Sequence, residues 1–101
     1  MGTFVKVGKA ADIPPGQGKT VEANGREIAV FNVNGAFHAI DNTCKHRGGP
    51  LGEGELDGAV VTCPLHAWTY DVTTGECFDD PACGVEVFPV RVEGDDLLIE
   101  V

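Results

Sequence analysis

The chain has 101 residues, enough for a single domain (1–101) with one hydrophobic core and no second catalytic body. A net charge of −9 at pH 7 excludes a nucleic-acid partner, because a phosphate backbone would repel the protein. The same charge suits docking against a basic redox partner, although acidity can also serve solubility alone. No apolar run approaches a membrane span, and the N-terminal residues lack a charged-then-apolar signal region, so we expect a cytoplasmic protein without a membrane partner.

Short strands and tight turns alternate along the sequence, and no segment has a sustained helical period. Four dipeptides mark the turns: Asn24-Gly25, Asn34-Gly35, Asp57-Gly58 and Gly94-Asp95. Asn-Gly and Asp-Gly are typical of type I′ hairpins, in which both central residues have positive φ. Strands are predicted at residues 3–7, 20–23, 26–33, 36–41, 59–62, 87–93 and 96–101. The fold class is therefore all-β, built from small antiparallel sheets.

Two short motifs carry the chemistry. Cys44-Lys45-His46 is followed, after sixteen residues, by Cys63-Pro64-Leu65-His66. Four Cys and His ligands suit either a tetrahedral zinc ion or a two-iron, two-sulfide cluster. Zinc modules usually group two Cys at one end and two His at the other. Here each motif has one of each, which favours a binuclear site where one iron takes both Cys and the other both His.

The segment between the motifs explains their spacing. The chain runs out through Leu56, turns at Asp57-Gly58 and returns through residues 59–62. An antiparallel hairpin brings the chain back to the end it left. We therefore expect the second ligand loop to lie beside the first.

This pattern resembles the signature of the Rieske proteins, C-x-H and C-x-x-H separated by sixteen residues. The resemblance implies that Cys44, His46, Cys63 and His66 are the metal ligands and that one [2Fe-2S] cluster is the cofactor. It also implies a Rieske-like fold, in which a cluster-binding subdomain of two loops, about residues 43–70, is set on a β base made from both termini.

The residues that flank the motifs are similar to those of the same family. Pro50 and Pro64 stiffen the two loops by fixing φ. Leu51, Leu65 and Trp68 are candidates for an apolar shield that keeps water from the cluster. Each would be an ordinary turn or core residue alone, but together they surround the four candidate ligands.

The chain lacks other chemical apparatus. It has no glycine-rich nucleotide fingerprint, so it would not take hydride from NADH itself. A mononuclear oxygenase iron needs two further His and a carboxylate, whereas only His38 remains, in a strand where a structural role is expected. Cys77 and Cys83 are predicted to be ordinary free thiols. We therefore expect a one-electron carrier and not an enzyme.

The resemblance points to the soluble ferredoxins that feed bacterial ring-hydroxylating oxygenases. High-potential Rieske proteins have a loop-to-loop disulfide at the positions of Gly49 and Leu65 and a serine at that of Trp68. Their absence implies a low potential, whereas Tyr70 matches a high-potential feature, a tyrosine that bonds a cluster ligand. Ala67 stands where the family commonly has Gly, and we expect it to be tolerated.

The implied partners are a flavin-containing reductase and a terminal oxygenase. Two alternatives stay open on the sequence. One is the small Rieske-like subunit of an assimilatory nitrite reductase, whose partner would be the large subunit. The other is a structural zinc module with no redox role.

Overall fold

The computed structural model describes residues 2–44, 49–65 and 67–101, which form ten strands and three single turns of 3-10 helix. The 3-10 turns are Ala10–Asp12, Leu51–Glu53 and Pro81–Cys83. The strands are β1 (Phe4–Lys9), β2 (Gly18–Ala23), β3 (Arg26–Val33), β4 (Ala36–Asp41), β5 (Glu55–Asp57), β6 (Val60–Thr62), β7 (Thr69–Asp71), β8 (Val87–Phe88), β9 (Val90–Glu93) and β10 (Asp96–Glu100). They pair into three antiparallel sheets, ordered β1-β10-β9, β2-β3-β4-β8 and β5-β6-β7, which confirms the predicted all-β class.

The four-stranded sheet separates two hydrophobic cores. In β3, Ile28 and Val30 pack into one core with Leu97 and Ile99 of β10. Phe31, on the opposite face of β3, belongs to the other core, which contains the cluster subdomain. Residues alternate between the faces of a strand, so β3 is buried on both sides. The sheet built from both termini is therefore the outer layer, and the cluster subdomain rests on the β2-β3-β4-β8 sheet instead.

The four predicted turns join strands, but they are of two kinds. Asn24-Gly25 and Asn34-Gly35 have positive φ at both central residues, as type I′ turns require. In the β5–β6 turn the central residues are Gly58-Ala59, and in the β9–β10 turn they are Gly94-Asp95. Only the glycine has positive φ in each, which fits type II′. The type I′ expectation was thus wrong for Asp57-Gly58, whereas the tight turn predicted at Gly94-Asp95 is confirmed.

The predicted strand at residues 87–93 is divided at Pro89. β8 pairs with β4 in the four-stranded sheet, whereas β9 pairs with β10 in the terminal sheet. Proline has no N–H to donate to a ladder, so the chain can leave one sheet here and enter the other. The Pro89 carbonyl still accepts a hydrogen bond from the Glu100 N–H.

The cluster subdomain is a three-stranded sheet that carries two loops at one end. β5 and β6 form the predicted hairpin, with Glu55 opposite Thr62. β7 follows the second loop and pairs with β6. Sequence reasoning did not predict β7, which has three residues. No helix among the described residues has the length and apolar composition needed to cross a membrane.

Candidate metal centre

Each ligand loop begins at a cysteine and is closed by backbone hydrogen bonds. In the first loop the Cys44 N–H donates to the Gly49 carbonyl at 2.9 Å, and Thr43 pairs with Pro50. In the second loop the Cys63 N–H donates to the Trp68 carbonyl at 2.7 Å. Both cysteines are about 1% exposed, so each thiol is presented from the base of its loop inside the protein.

The two loops touch at Gly49. A β-carbon on this residue would lie 2.6 Å from the Cys63 sulfur and 3.2 Å from Cγ of Leu65. Real β-carbons do not approach a sulfur as closely as 2.6 Å, so only glycine lets the first loop reach Cys63, the candidate ligand of the second loop. The contact confirms that the hairpin brings the loops together. It also places Gly49 beside Leu65, the pair of positions that is bridged in high-potential relatives.

The donor chemistry of this end fits an iron–sulfur cluster. Cys44 and Cys63 belong to one buried core, beneath two loops in which the other candidate ligands, His46 and His66, follow in sequence. Both histidines lie outside the described residues. Within the described ranges, no group of three or more His, Cys, Asp or Glu could hold a metal ion.

The predicted apolar shield is divided between core and surface. Leu51 is fully buried and Trp68 is partly buried against the same core. Leu65, in contrast, is 58% exposed. Leu65 therefore covers Gly49 from the outside and presents an apolar face to solvent.

Tyr70 lies beside Cys44, one of the candidate ligands. Its hydroxyl is 3.3 Å from the Cys44 sulfur, and the ring is fully buried. A thiolate has no proton to give, so the hydroxyl would be the donor whenever Cys44 binds iron. The geometry agrees with the tyrosine interaction that the family resemblance implies.

A buried asparagine holds the first loop, and sequence reasoning missed it. Asn42 is 3% exposed, and its backbone carbonyl accepts a hydrogen bond from the Leu51 N–H at 2.7 Å. Its side-chain oxygen accepts the Gly52 N–H at 2.8 Å and the Thr20 hydroxyl at 3.0 Å. Asn42 thus ties both ends of the loop to β2. The available signal in the sequence was the position of Asn42 between a predicted strand and the candidate ligand Cys44.

Asn42→Ala is expected to destabilise the folded protein by about 2–4 kcal/mol, since the buried N–H of Gly52 and the half-buried hydroxyl of Thr20 lose their acceptor. The unfolding midpoint in denaturant and the iron content measure the effect. Asn32→Ala is the control: Asn32 is also buried, but its bonds to Ile13 and Gly35 lie away from the ligand loops. Asn42→Ala should lose iron before global unfolding, and Asn32→Ala should not. Equal iron retention by both would contradict a role in holding the loop.

The second loop is held by the segment that follows Cys77. Asp79 accepts both the N–H of Thr69 at 2.7 Å and its hydroxyl at 3.1 Å. The Phe78 N–H donates to the Thr69 carbonyl at 2.9 Å. All three polar groups of Thr69 are therefore bound, which fixes the chain between the second loop and Tyr70.

Cys77 and Cys83 are free thiols, as predicted. Cys77 is buried and pairs with Tyr70 through an isolated bridge. Partial burial raises the pKa of Cys83, as does its hydrogen bond to Asp80 at 3.5 Å. A neutral thiol is a poor nucleophile and metal ligand, which supports a packing role.

The turn after β7 is stabilised by a carboxylate. A hydrogen bond from the Thr73 hydroxyl, at 2.6 Å, lowers the pKa of Asp71 below its usual 3.8, and further bonds from the Thr73 and Thr74 N–H groups act in the same direction. The electrostatic attraction of His38, which is half-buried on β4, also lowers the pKa of Asp71. Since the folded pKa is depressed, Asp71 stabilises the fold above the ordinary carboxyl pKa, and this contribution is lost as the pH falls below it.

Ala67 has a φ of 59°, in the left-handed region that glycine adopts freely. We expect Ala67→Gly to stabilise the protein by about 1 kcal/mol, because an alanine pays a steric penalty there. Denaturant unfolding of the loaded protein measures the change. Ala36→Gly, at an exposed strand position without positive φ, is the control and should destabilise by about 0.5–1 kcal/mol. A loss of stability in Ala67→Gly would contradict the inference that the positive φ of Ala67 is sterically strained.

Comparison with known proteins assigns the family. Residues 3–89 match the model of the Rieske [2Fe-2S] domain. The biphenyl dioxygenase ferredoxin subunit of Pseudomonas sp. (strain KKS102) is 39% identical, over 97% of this chain and 92% of that protein. The 3-phenylpropionate/cinnamic acid dioxygenase ferredoxin subunit of Shigella flexneri serotype 5b (strain 8401) is 40% identical, over 90% and 87%.

Solved structures agree. The ferredoxin of carbazole 1,9a-dioxygenase from Nocardioides aromaticivorans IC177 superimposes with a TM-score of 0.89 at 28% identity, covering 96% of each chain. A putative NADH-dependent nitrite reductase small subunit from Mycobacterium tuberculosis shares the fold, with a TM-score of 0.91 at 24% identity over 100% of this chain and 96% of that one. The structural zinc alternative is therefore wrong: the chain belongs to the Rieske [2Fe-2S] family.

Proposed function

We propose that this protein is a one-electron carrier that takes electrons from a flavin-containing reductase and passes them to a terminal oxygenase. The observation that carries the proposal is the pair of buried cysteines on two touching loops, in a chain similar along nearly its whole length to ferredoxin subunits of dioxygenases. A structure 34% identical to this chain, a complex of reduced oxygenase and oxidised ferredoxin in carbazole 1,9a-dioxygenase, adds support (TM-score 0.87; 96% of this chain, 92% of that one).

Within this function, Cys44 and Cys63 would bind one iron, and His46 and His66 the other. The bound cluster supplies one-electron oxidation and reduction. The chain's own residues do the rest: Asn42 and Asp79 hold the two loops, and buried apolar side chains exclude water. The Tyr70 hydroxyl donates to the thiolate side of the site. Its relatives are ferredoxin components of dioxygenase systems, which supports a carrier and not an enzyme.

Spectroscopy with metal analysis tests the cofactor and its ligands. The purified protein should contain two iron and two sulfide per chain and be coloured when oxidised. Pulsed electron paramagnetic resonance of the reduced protein should show nitrogen couplings from two histidines. Sulfur ligation alone, or zinc in place of iron, would contradict the ligand assignment.

The midpoint potential is expected near the lower end of the Rieske range, roughly −150 mV and not +300 mV. Gly49 and Leu65 cannot form a loop-to-loop disulfide, and Trp68 offers no hydroxyl to a sulfur. Reduction also adds one negative charge to a protein whose net charge is already −9. A redox titration measures the potential, and a midpoint well above zero would contradict these arguments.

The second candidate function is a small subunit of an assimilatory nitrite reductase, favoured by the shared fold with the Mycobacterium tuberculosis protein. Affinity capture from the native host separates the two. A flavin reductase and an oxygenase should be recovered under the first function, and a sirohaem protein under the second. We also propose a cytoplasmic location, supported by the free thiols of Cys77 and Cys83, because a reducing compartment keeps thiols unpaired.

A further inference from the structure

We propose that a groove beside Cys63 binds a lysine or arginine side chain of a basic redox partner. The inference rests on the proposed electron-carrier function and adds the chemistry by which the partner is recognised. The groove has a volume of about 660 Å³ and opens between the 3-10 turn at Leu51–Glu53, the start of β5 and the second ligand loop. Its lining includes Glu53, Glu55, Cys63, Pro64 and Leu65.

The walls of the groove differ in chemistry. Glu53 and Glu55 are its acidic residues, and both are exposed. Pro64, Leu65 and Ala67 are its apolar residues, and Leu65 is more than half exposed. Lysine and arginine have a long apolar stem and a cationic head. A lining that combines carboxylates with apolar side chains complements both parts of such a side chain.

Neither carboxylate has an ion-pair partner among the described residues. The ion pairs found there join Lys6 to Asp96, Arg26 to Glu86 and Arg91 to Glu93. Glu53 and Glu55 also line a second cavity of about 270 Å³, formed with residues 16–18. The two carboxylates therefore give both cavities an acidic lining that complements a cationic side chain.

The groove is also placed to couple docking with electron transfer. Cys63, a proposed ligand, lies in its wall, so a cation bound there would be next to the extra negative charge of the reduced protein. A partner that binds the reduced form more tightly must, by thermodynamic linkage, make reduction easier to the same degree. Its affinity then falls once the electron has left, which favours release.

Cytochrome c, a basic haem protein, is a suitable probe. One electron leaves the reduced protein and converts ferric haem to ferrous haem, which stopped-flow absorbance follows. We expect Glu53→Gln/Glu55→Gln to lower the second-order rate constant about threefold to tenfold at low ionic strength, and the loss to shrink at high salt. Glu22→Gln/Glu27→Gln is the matched control, since these exposed residues face each other on β2 and β3 and remove the same charge elsewhere. It should change the rate less than twofold.

Carbodiimide cross-linking gives a second readout that does not depend on electron transfer. The reagent takes up water as it joins a carboxyl to a lysine amine in an amide bond. Mapped links from cytochrome c lysines should concentrate at Glu53 and Glu55. Equal rate constants for the two double variants, or cross-links spread evenly over the acidic surface, would overturn the proposal that this groove binds the partner. A wild-type protein without iron and sulfide would overturn the proposed function instead.

Discussion

Cys44→Ser and Cys63→Ser are each expected to abolish cluster binding. A serine hydroxyl is neutral at physiological pH and cannot replace the charge and the bond that a thiolate gives to iron. Both thiols are almost fully buried, so neither water nor another side chain can take their place without rearrangement of a loop. Iron and sulfide analysis, together with the visible absorption of the purified variants, measures the loss.

Cys83→Ser is the control for this experiment. Cys83 is packed against the same core, but its pKa is raised and its thiol bonds Asp80, so we expect no role in ligation. The control should keep full iron and sulfide. Full retention of iron and sulfide in Cys44→Ser or Cys63→Ser would refute the ligand assignment. Loss of the cluster from Cys83→Ser would show that a cysteine-to-serine change in this core prevents cluster binding without removing a ligand.

The parts of the fold that could be predicted are those determined by local chemistry. The boundaries of β3 and β4 were predicted correctly, because Asn-Gly at both ends of β3 permits a tight turn with positive φ. The exchange between sheets at Pro89 was not predicted. It depends on which neighbouring strand is available on each side of the proline, and periodicity within the segment does not contain that information.

The same distinction holds at the candidate site. The ligand pattern and the hairpin between its halves are visible in the sequence, since a turn at Gly58 must return the chain toward Cys44. Asn42 and Asp79 are not visible, because their partners Thr20 and Thr69 are 22 and 10 residues away. Polar residues beside strands are common, and only the folded chain shows which of them hold a loop.

The most informative substitution for the redox properties is Tyr70→Phe, which is expected to lower the midpoint potential and leave the cluster content unchanged. The hydroxyl lies 3.3 Å from the Cys44 sulfur. As a donor, it stabilises the electron-rich reduced state more than the oxidised state. A hydrogen bond to a charged group is worth about 1.5–3 kcal/mol. For a one-electron couple, a tenfold change in equilibrium is about 59 mV.

Only the part of the bond energy that differs between the two oxidation states shifts the potential, so the expected decrease is several tens of millivolts (order of magnitude). Redox titration of the variant beside the wild type measures it, with iron and sulfide content as the check on cluster loading. Cys83→Ser, which replaces the thiol bonded to Asp80 by a hydroxyl that can also donate to that carboxylate, should leave the potential within experimental error. An unchanged potential in Tyr70→Phe would mean that the hydroxyl does not donate to Cys44 in the loaded protein. The absence of a loop-to-loop disulfide and of a serine donor would then be sufficient to explain a low potential.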